Sequence, residues 1–134
     1  MSGAGYATAA LDEVVPVDGP GDGEWKPLRH HFGITAFGVN AWVAQAAGDE
    51  VIAEHTESED DVQGHEELYL VTRGSAAFTI GDDEIVALPG TLVFVSDPAL
   101  NRKAIARVPG TTIVSFGGQP GTMDPSIWES RRLS

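Results

Sequence analysis

The chain has no cysteine and few basic residues, and both shortages exclude classes of function. Without cysteine, disulfide bonds, thiolate metal sites and cysteine nucleophiles are impossible. Eight Lys and Arg residues stand against twenty Asp and Glu residues, which gives a net charge of −12 at pH 7. A surface of that sign repels phosphate backbones and anionic lipid headgroups, so we expect neither nucleic acid nor a membrane as a partner.

Long apolar segments are also missing. No run approaches the roughly twenty consecutive apolar residues that a helix needs to cross a bilayer. The N-terminus lacks the basic start and the long apolar run of a secretory signal. We therefore expect a cytoplasmic protein, and its 134 residues suit a single domain with one core.

What the sequence does contain is a series of short β-strand patterns. Eight runs of apolar, β-branched and aromatic residues follow one another between residues 34 and 117, separated by short segments that contain Gly, Pro and Asp. Those three residue types supply the positive or fixed φ angles of tight turns. The spacing predicts an all-β fold, an antiparallel sandwich or barrel. We expect these residues to be largely buried: Val71, Phe78, Ile80, Val93, Val95 and Ile113.

The two ends of the chain differ from this central part. Residues 1–27 are rich in Gly, Ala, Asp and Pro and predict an N-terminal arm that packs on the outside of a barrel. Residues 28–118 form the predicted barrel, and residues 119–134 return to turn-rich composition as a C-terminal tail. The apolar segment ALDEVVPV of the arm could cover a sheet edge of a second copy, so we expect a homodimer.

Two segments resemble the signatures of the cupins, small antiparallel barrels of the double-stranded β-helix or jelly-roll type. Glu67 and Gly74 are separated by six residues, as at the end of the first cupin signature. The segment ALPGTLVFVSDPALNR resembles the opening of the second signature. The resemblance spans residues 37–118. It implies a barrel that binds a small molecule or, alternatively, an oxygenase or isomerase that acts on a small organic substrate, such as a carboxylate, with a divalent transition metal.

The metal-binding positions of these signatures are only partly kept. His55 and Glu57 form H-x-E where the first signature has H-x-H, and the histidine of the second signature falls on Asn101. Strand alternation puts His65 on the same face as Glu67, so the candidate metal ligands are His55, His65 and Glu67. Alternatively, both histidines lie at the mouths of an acidic loop and titrate in solvent. Because the ligand set is incomplete, the sequence favours a barrel without a metal.

A further set of residues predicts a ligand pocket. Arg102 could bind an anionic group through its planar guanidinium, or it could point into solvent from a surface turn. Trp42 could stack on a ligand or belong to the core. We expect a small, partly apolar ligand with a carboxylate or another polar head, bound by Asn40, Trp42, His65, Glu67, Tyr69, Asn101 and Arg102. No pattern identifies catalytic residues, so whether the chain is an enzyme stays open.

Overall fold

The structure, a computed structural model, describes residues 2–57, 64–123 and 127–132. Within those ranges the regular structure is almost entirely antiparallel β, which confirms the predicted all-β class. Besides a single turn of 3-10 helix at Leu11–Glu13, the helices are α1 (Leu28–Phe32) and α2 (Ile127–Arg132). The strands are β1 (Ser2–Gly3), β2 (Tyr6–Ala7), β3 (Glu24–Lys26), β4 (Gly38–Val43), β5 (Glu50–His55), β6 (Glu66–Arg73), β7 (Ala76–Ile80), β8 (Asp83–Ala87), β9 (Leu92–Val95), β10 (Arg102–Ala106) and β11 (Thr112–Gly118).

Two sheets pack around one core. The larger has the strand order β3-β4-β11-β6-β9, the smaller the order β5-β10-β7-β8, and hydrogen bonds do not join them into one closed barrel. Side chains of both sheets meet in a single apolar cluster, where the rings of Tyr69 and Phe78 lie 5.5 Å apart. Such sandwiches place alternate residues of each strand inward. In β6, for example, the fully buried positions are Tyr69 and Val71.

The strand prediction holds along the central part of the chain. Each of the eight predicted runs overlaps one strand, from β4 to β11, and the bounds differ by a few residues. Five of the six residues expected in the core are buried, whereas Ile80, at the end of β7, is partly buried and packs against the core cluster. Within the described ranges, no helix combines the length and the apolar character needed to span a bilayer.

The region around residue 28 contains structure that strand patterns do not predict. Leu28–Phe32 forms the one-turn helix α1, which ends at Gly33 with a φ of 69°. Five residues are too few to display a helical period. Upstream, β3 pairs with β4 and extends the larger sheet, while Val14 is 2 % exposed. The arm therefore packs on the sheet edge, and where the arm ends and the barrel begins stays a prediction.

Candidate metal and ligand-binding site

Three ionisable side chains converge between β5 and β6. His55 is the last residue of β5, Glu57 follows two positions later, and Glu67 is the second residue of β6. Nε2 of His55 lies 3.0 Å from Oε1 of Glu57 and 3.6 Å from Oε1 of Glu67. One donor atom of each side chain lies within 4.8 Å of the others. A histidine nitrogen and two carboxylate oxygens are ligands that divalent transition metals accept.

The backbone of β5 orients the histidine ring. Nδ1 of His55 lies 2.7 Å from the carbonyl oxygen of Ala53. Because a carbonyl oxygen can only accept, Nδ1 carries the hydrogen and donates it. This hydrogen bond directs Nε2 toward the two carboxylates. A ring held by a backbone carbonyl in this way is typical of histidines that bind metals through the other nitrogen.

Glu67 is surrounded by hydrogen-bond donors. The Tyr69 hydroxyl donates to Oε1 of Glu67, and Nη1 of Arg102 donates to the same oxygen at 3.1 Å. The Arg102 side chain is fully buried. Its Nε donates to the Leu100 carbonyl at 2.9 Å and its Nη2 donates to the Asp97 carbonyl at 3.1 Å. The guanidinium is thus fixed on three sides, and its charge is paired with that of Glu67.

These contacts shift the pKa values of three groups. Glu57 and then Glu67 raise the pKa of His55 to about 10, although burial acts in the opposite direction. Burial alone would raise the pKa of Glu67, but hydrogen bonds from His55 and Tyr69 outweigh it and lower that pKa. Burial and the Glu67 carboxylate raise the pKa of Tyr69 well above its usual value, so the hydroxyl keeps its proton.

Two states of this group follow from the pKa shifts. Without a metal, His55 is an imidazolium at neutral pH, so two cationic side chains, His55 and Arg102, face two acidic ones. With a metal, Nε2 must first lose its proton, which makes metal binding stronger as the pH rises. The donor set therefore allows a divalent metal, and it also forms a closed ion cluster without one.

The three side chains form the polar wall of a cavity of about 270 Å³. Trp42 and Ile52 contribute apolar surface to it, together with the ring of Tyr69. Trp42 is held from two sides: its Nε1 donates to Oγ of Ser115 at 3.2 Å, and its ring stacks on that of Trp25 with centroids 5.9 Å apart. Trp42 therefore packs against its neighbours and also faces the cavity, and its stacking on a ligand stays a prediction.

A second cavity, of about 560 Å³, adjoins the first because the two share Asn40, Glu57 and Glu67. His65 and Arg29 lie on the wall of this second cavity. Asn40 stands between the two, and its Oδ1 accepts a hydrogen bond of 2.9 Å from Nε1 of Trp25.

Most of the predicted site residues meet here. The cavity of about 270 Å³ is lined by Asn40, Trp42, Glu67 and Tyr69, and His65 lines its neighbour. Among the side chains that the structure describes, the possible metal-ligand group takes in Glu57 but not His65. The H-x-E spacing could have indicated Glu57 as a ligand, since strand alternation places Glu57 on the same face as His55.

The structure separates the residues of the predicted turn around Arg102, because one is buried and another is exposed. Arg102 begins β10 and is fully buried, so the alternative of a solvent-facing surface turn is wrong for this residue. Asn101 is exposed and is not on the wall of either cavity. Of the predicted acidic loop, residues 58–63 lie outside the described ranges.

The sequence matches no protein-family model, and no curated protein is significantly similar to it in sequence. The structure resembles a cupin protein from Bacteroides fragilis, with a TM-score of 0.69, 16 % identity and coverage of 92 % of each chain. It also resembles a sugar phosphate isomerase from a cupin superfamily from Silicibacter pomeroyi, with a TM-score of 0.66, 16 % identity and coverage of 84 % of this chain and 76 % of the other.

A third similar structure is a predicted oxalate decarboxylase from Thermotoga maritima, with a TM-score of 0.60 and 14 % identity over 83 % of this chain and 97 % of the other. At such identities the likeness establishes the fold alone. The chain has the cupin fold, a double-stranded β-helix, which confirms the resemblance seen in the sequence.

Proposed function

We propose that this chain binds a small polar molecule in the cavity beside Trp42, with His55, Glu57 and Glu67 as the polar wall. The observation that carries this proposal is that the ring of Trp42 and the side chains of His55, Glu57 and Glu67 line one cavity of about 270 Å³. That volume is near the lower end of the roughly 300–1,000 Å³ of small-molecule sites. It suits a compact ligand.

The wall favours a ligand that donates hydrogen bonds. Glu54, Glu57 and Glu67 all contribute to the lining of this cavity, and carboxylate oxygens only accept. Arg102, which the sequence suggested as the anion-binding group, is buried and paired with Glu67. We therefore assign Arg102 to positioning Glu67, and we expect hydroxyl or amine groups of the ligand to face Glu57 and Glu67.

Binding can be tested by thermal shift and calorimetry with the full chain in EDTA, using polyols, short amines and short carboxylates. We expect polyols or amines to bind, and Glu57→Gln to weaken them about tenfold, since a charged acceptor is replaced by a neutral one. Glu84→Gln, an exposed change on β8, serves as the control and should bind as wild type does. Compounds that bind Glu57→Gln as tightly as they bind wild type would contradict this location of the site.

A second function, that of a metal-dependent cupin enzyme, is favoured by the spacing of at most 4.8 Å between the donor atoms. His55, Glu57 and Glu67 would hold Fe(II), Mn(II), Ni(II) or Zn(II), leaving coordination positions open. The ion would supply a Lewis acid that polarises an oxygen of the substrate. Trp42 and Asn40 would position that substrate for an oxygenase or isomerase type of reaction.

Elemental analysis of protein purified without chelator, followed by calorimetric titration with each ion, tests this second function. Glu57→Ala should abolish metal binding, whereas His65→Ala, outside the donor group, should retain it. Less than about a tenth of an ion per chain, with no binding on titration, would exclude the metal and leave the proposed small-molecule function untouched.

A further inference from the structure

We infer that Arg29 forms an anion-binding subsite at the outer end of the site, so that the ligand carries an acid group at one end and hydroxyl or amine groups at the other. The inference rests on the proposed small-molecule function and adds the chemical class of the ligand. It moves the anion-binding role from Arg102 to a residue that the sequence did not single out.

Arg29 lies on the one-turn helix α1 and is exposed. It lines the cavity of about 560 Å³, which Glu57 and Glu67 also line. It also lines a third cavity, of about 430 Å³, together with Trp25 and Asn40. Arg29 and the two carboxylates therefore line one cavity, called the recess below, and Asn40 borders this recess and both neighbouring cavities.

Of the three cations at this site, His55, Arg102 and Arg29, it is Arg29 whose charge can pair with an anionic ligand. The two cations at the inner end, His55 and Arg102, are each within 4.0 Å of a carboxylate oxygen. Across the ranges that the structure describes, no carboxylate lies that close to Arg29, whose Nη1 donates to the Ile34 carbonyl at 3.3 Å. Most of its planar fork remains available for the bidentate contact that a carboxylate or a phosphate makes.

The net charge of the chain restricts which anions can bind in the recess and how they are oriented. At a net charge of −12, the protein repels anions in general, so an anionic ligand needs a local cation. The recess is acidic at Glu57 and Glu67 and basic at Arg29. A molecule with a single anionic group would therefore bind in one orientation, with the acid toward Arg29 and its hydrogen-bond donors toward the glutamates.

The test compares three probes of the same carbon skeleton on the full chain: erythritol, erythronate and erythritol 4-phosphate. We expect at least one of the two acids to bind about tenfold more tightly than erythritol by calorimetry. Which acid is preferred distinguishes a carboxylate ligand from a phosphate ligand. Arg29→Gln should bring the acids to the affinity that the same variant has for erythritol, while Arg29→Lys should keep part of the preference.

The control variant is Arg107→Gln, another exposed arginine, which lines none of the three cavities and should keep the wild-type ratio. If erythritol and the acids bind wild type equally, or if Arg29→Gln keeps the preference, the subsite is wrong and the proposed function stands. If none of the three binds at about 10 mM, the subsite and the proposed function both fail for this class of ligand.

Discussion

Arg102 is a fully buried cation whose carboxylate partner is Glu67. Removing the guanidinium would leave Glu67 with His55 as its remaining cationic neighbour, 3.6 Å away, and would leave two backbone carbonyls without their buried donor. We expect Arg102→Met to lower the free energy of unfolding in urea by about 3–5 kcal/mol. The double variant Arg102→Met/Glu67→Gln should recover part of that loss, because no unpaired charge remains.

The matched control is Arg107→Met. Arg107 is exposed and directly follows β10, so the free energy of unfolding of this variant should stay within about 0.5 kcal/mol of wild type. An Arg102→Met variant as stable as wild type would show that the ion pair has no structural role.

The stability of the metal-free protein should depend on pH through His55. Its pKa is about 10 in the fold, against 6.5 as the ordinary value. Because the folded pKa is raised, the stabilisation is complete below pH 6.5 and is lost as the pH rises through 10. With EDTA present, we expect this loss to be on the order of 1 kcal/mol after solvent screening.

Urea unfolding of wild type and His55→Gln at both ends of that pH range measures the effect. The variant should lose less stability than wild type on going to high pH, since it lacks the titrating ring. Equal losses in the two proteins would mean that His55 is not paired as the structure has it.

At the scale of elements, the turn between β6 and β7 depends on Gly74. Its φ is 69°, and a Cβ placed there would lie 2.8 Å from Cα of the buried Thr111. Gly33 has the same φ of 69° with no atom within 4 Å of such a Cβ, so it is a matched control. Both changes to Ala incur the left-handed backbone strain of about 1–2 kcal/mol.

Only Gly74→Ala adds the clash, so we expect it to destabilise the fold by about 1–3 kcal/mol more than Gly33→Ala. Thermal or urea unfolding of the two variants provides the comparison. Equal effects would show that the chain around Thr111 shifts without loss, and that Gly74 is required for its φ alone.

The order of the central strands could be predicted from local sequence patterns, but the pairing of the arm with the larger sheet could not. Apolar alternation and turn residues predicted β4 to β11, because each strand and turn is specified over a few neighbouring residues. The pairing of β3 with β4 joins polar and aromatic residues of the arm to the sheet. It is secured by contacts between residues far apart in the sequence, such as the bond of 2.9 Å from Nε1 of Trp25 to Oδ1 of Asn40, which no local pattern contains.

At the scale of the whole molecule, one face of the larger sheet carries exposed apolar side chains. Leu92 and Phe94 of β9 are 61 % and 58 % exposed, and Phe94 borders a groove of about 640 Å³ together with Phe37 and Phe116. A face of this kind agrees with the homodimer expected from the sequence, which stays a prediction. Because each copy carries a charge of −12, association should strengthen with salt.

Light scattering at low and high salt measures the mass. We expect a dimer whose dissociation constant falls as salt is added, and Phe94→Glu should shift it toward monomer. Ile85→Glu, a change at an exposed position of β8 in the other sheet, is the control. A monomer mass at both salt concentrations, with protein at about 50 μM, would refute the dimer.

Alternation, turn chemistry and motif spacing are local properties of the sequence, and they suffice to predict the all-β class and the cupin resemblance and to select His55 and Glu67 as candidate metal ligands. Three further facts came from the three-dimensional fold: Glu57 joins the group, Arg102 lies inside the protein, and Arg29 lines the recess. The register of β10 against β5 sets Arg102 beside His55. Which distant side chains meet depends on strand register and on burial within the whole fold, and those are settled only when both sheets pack together.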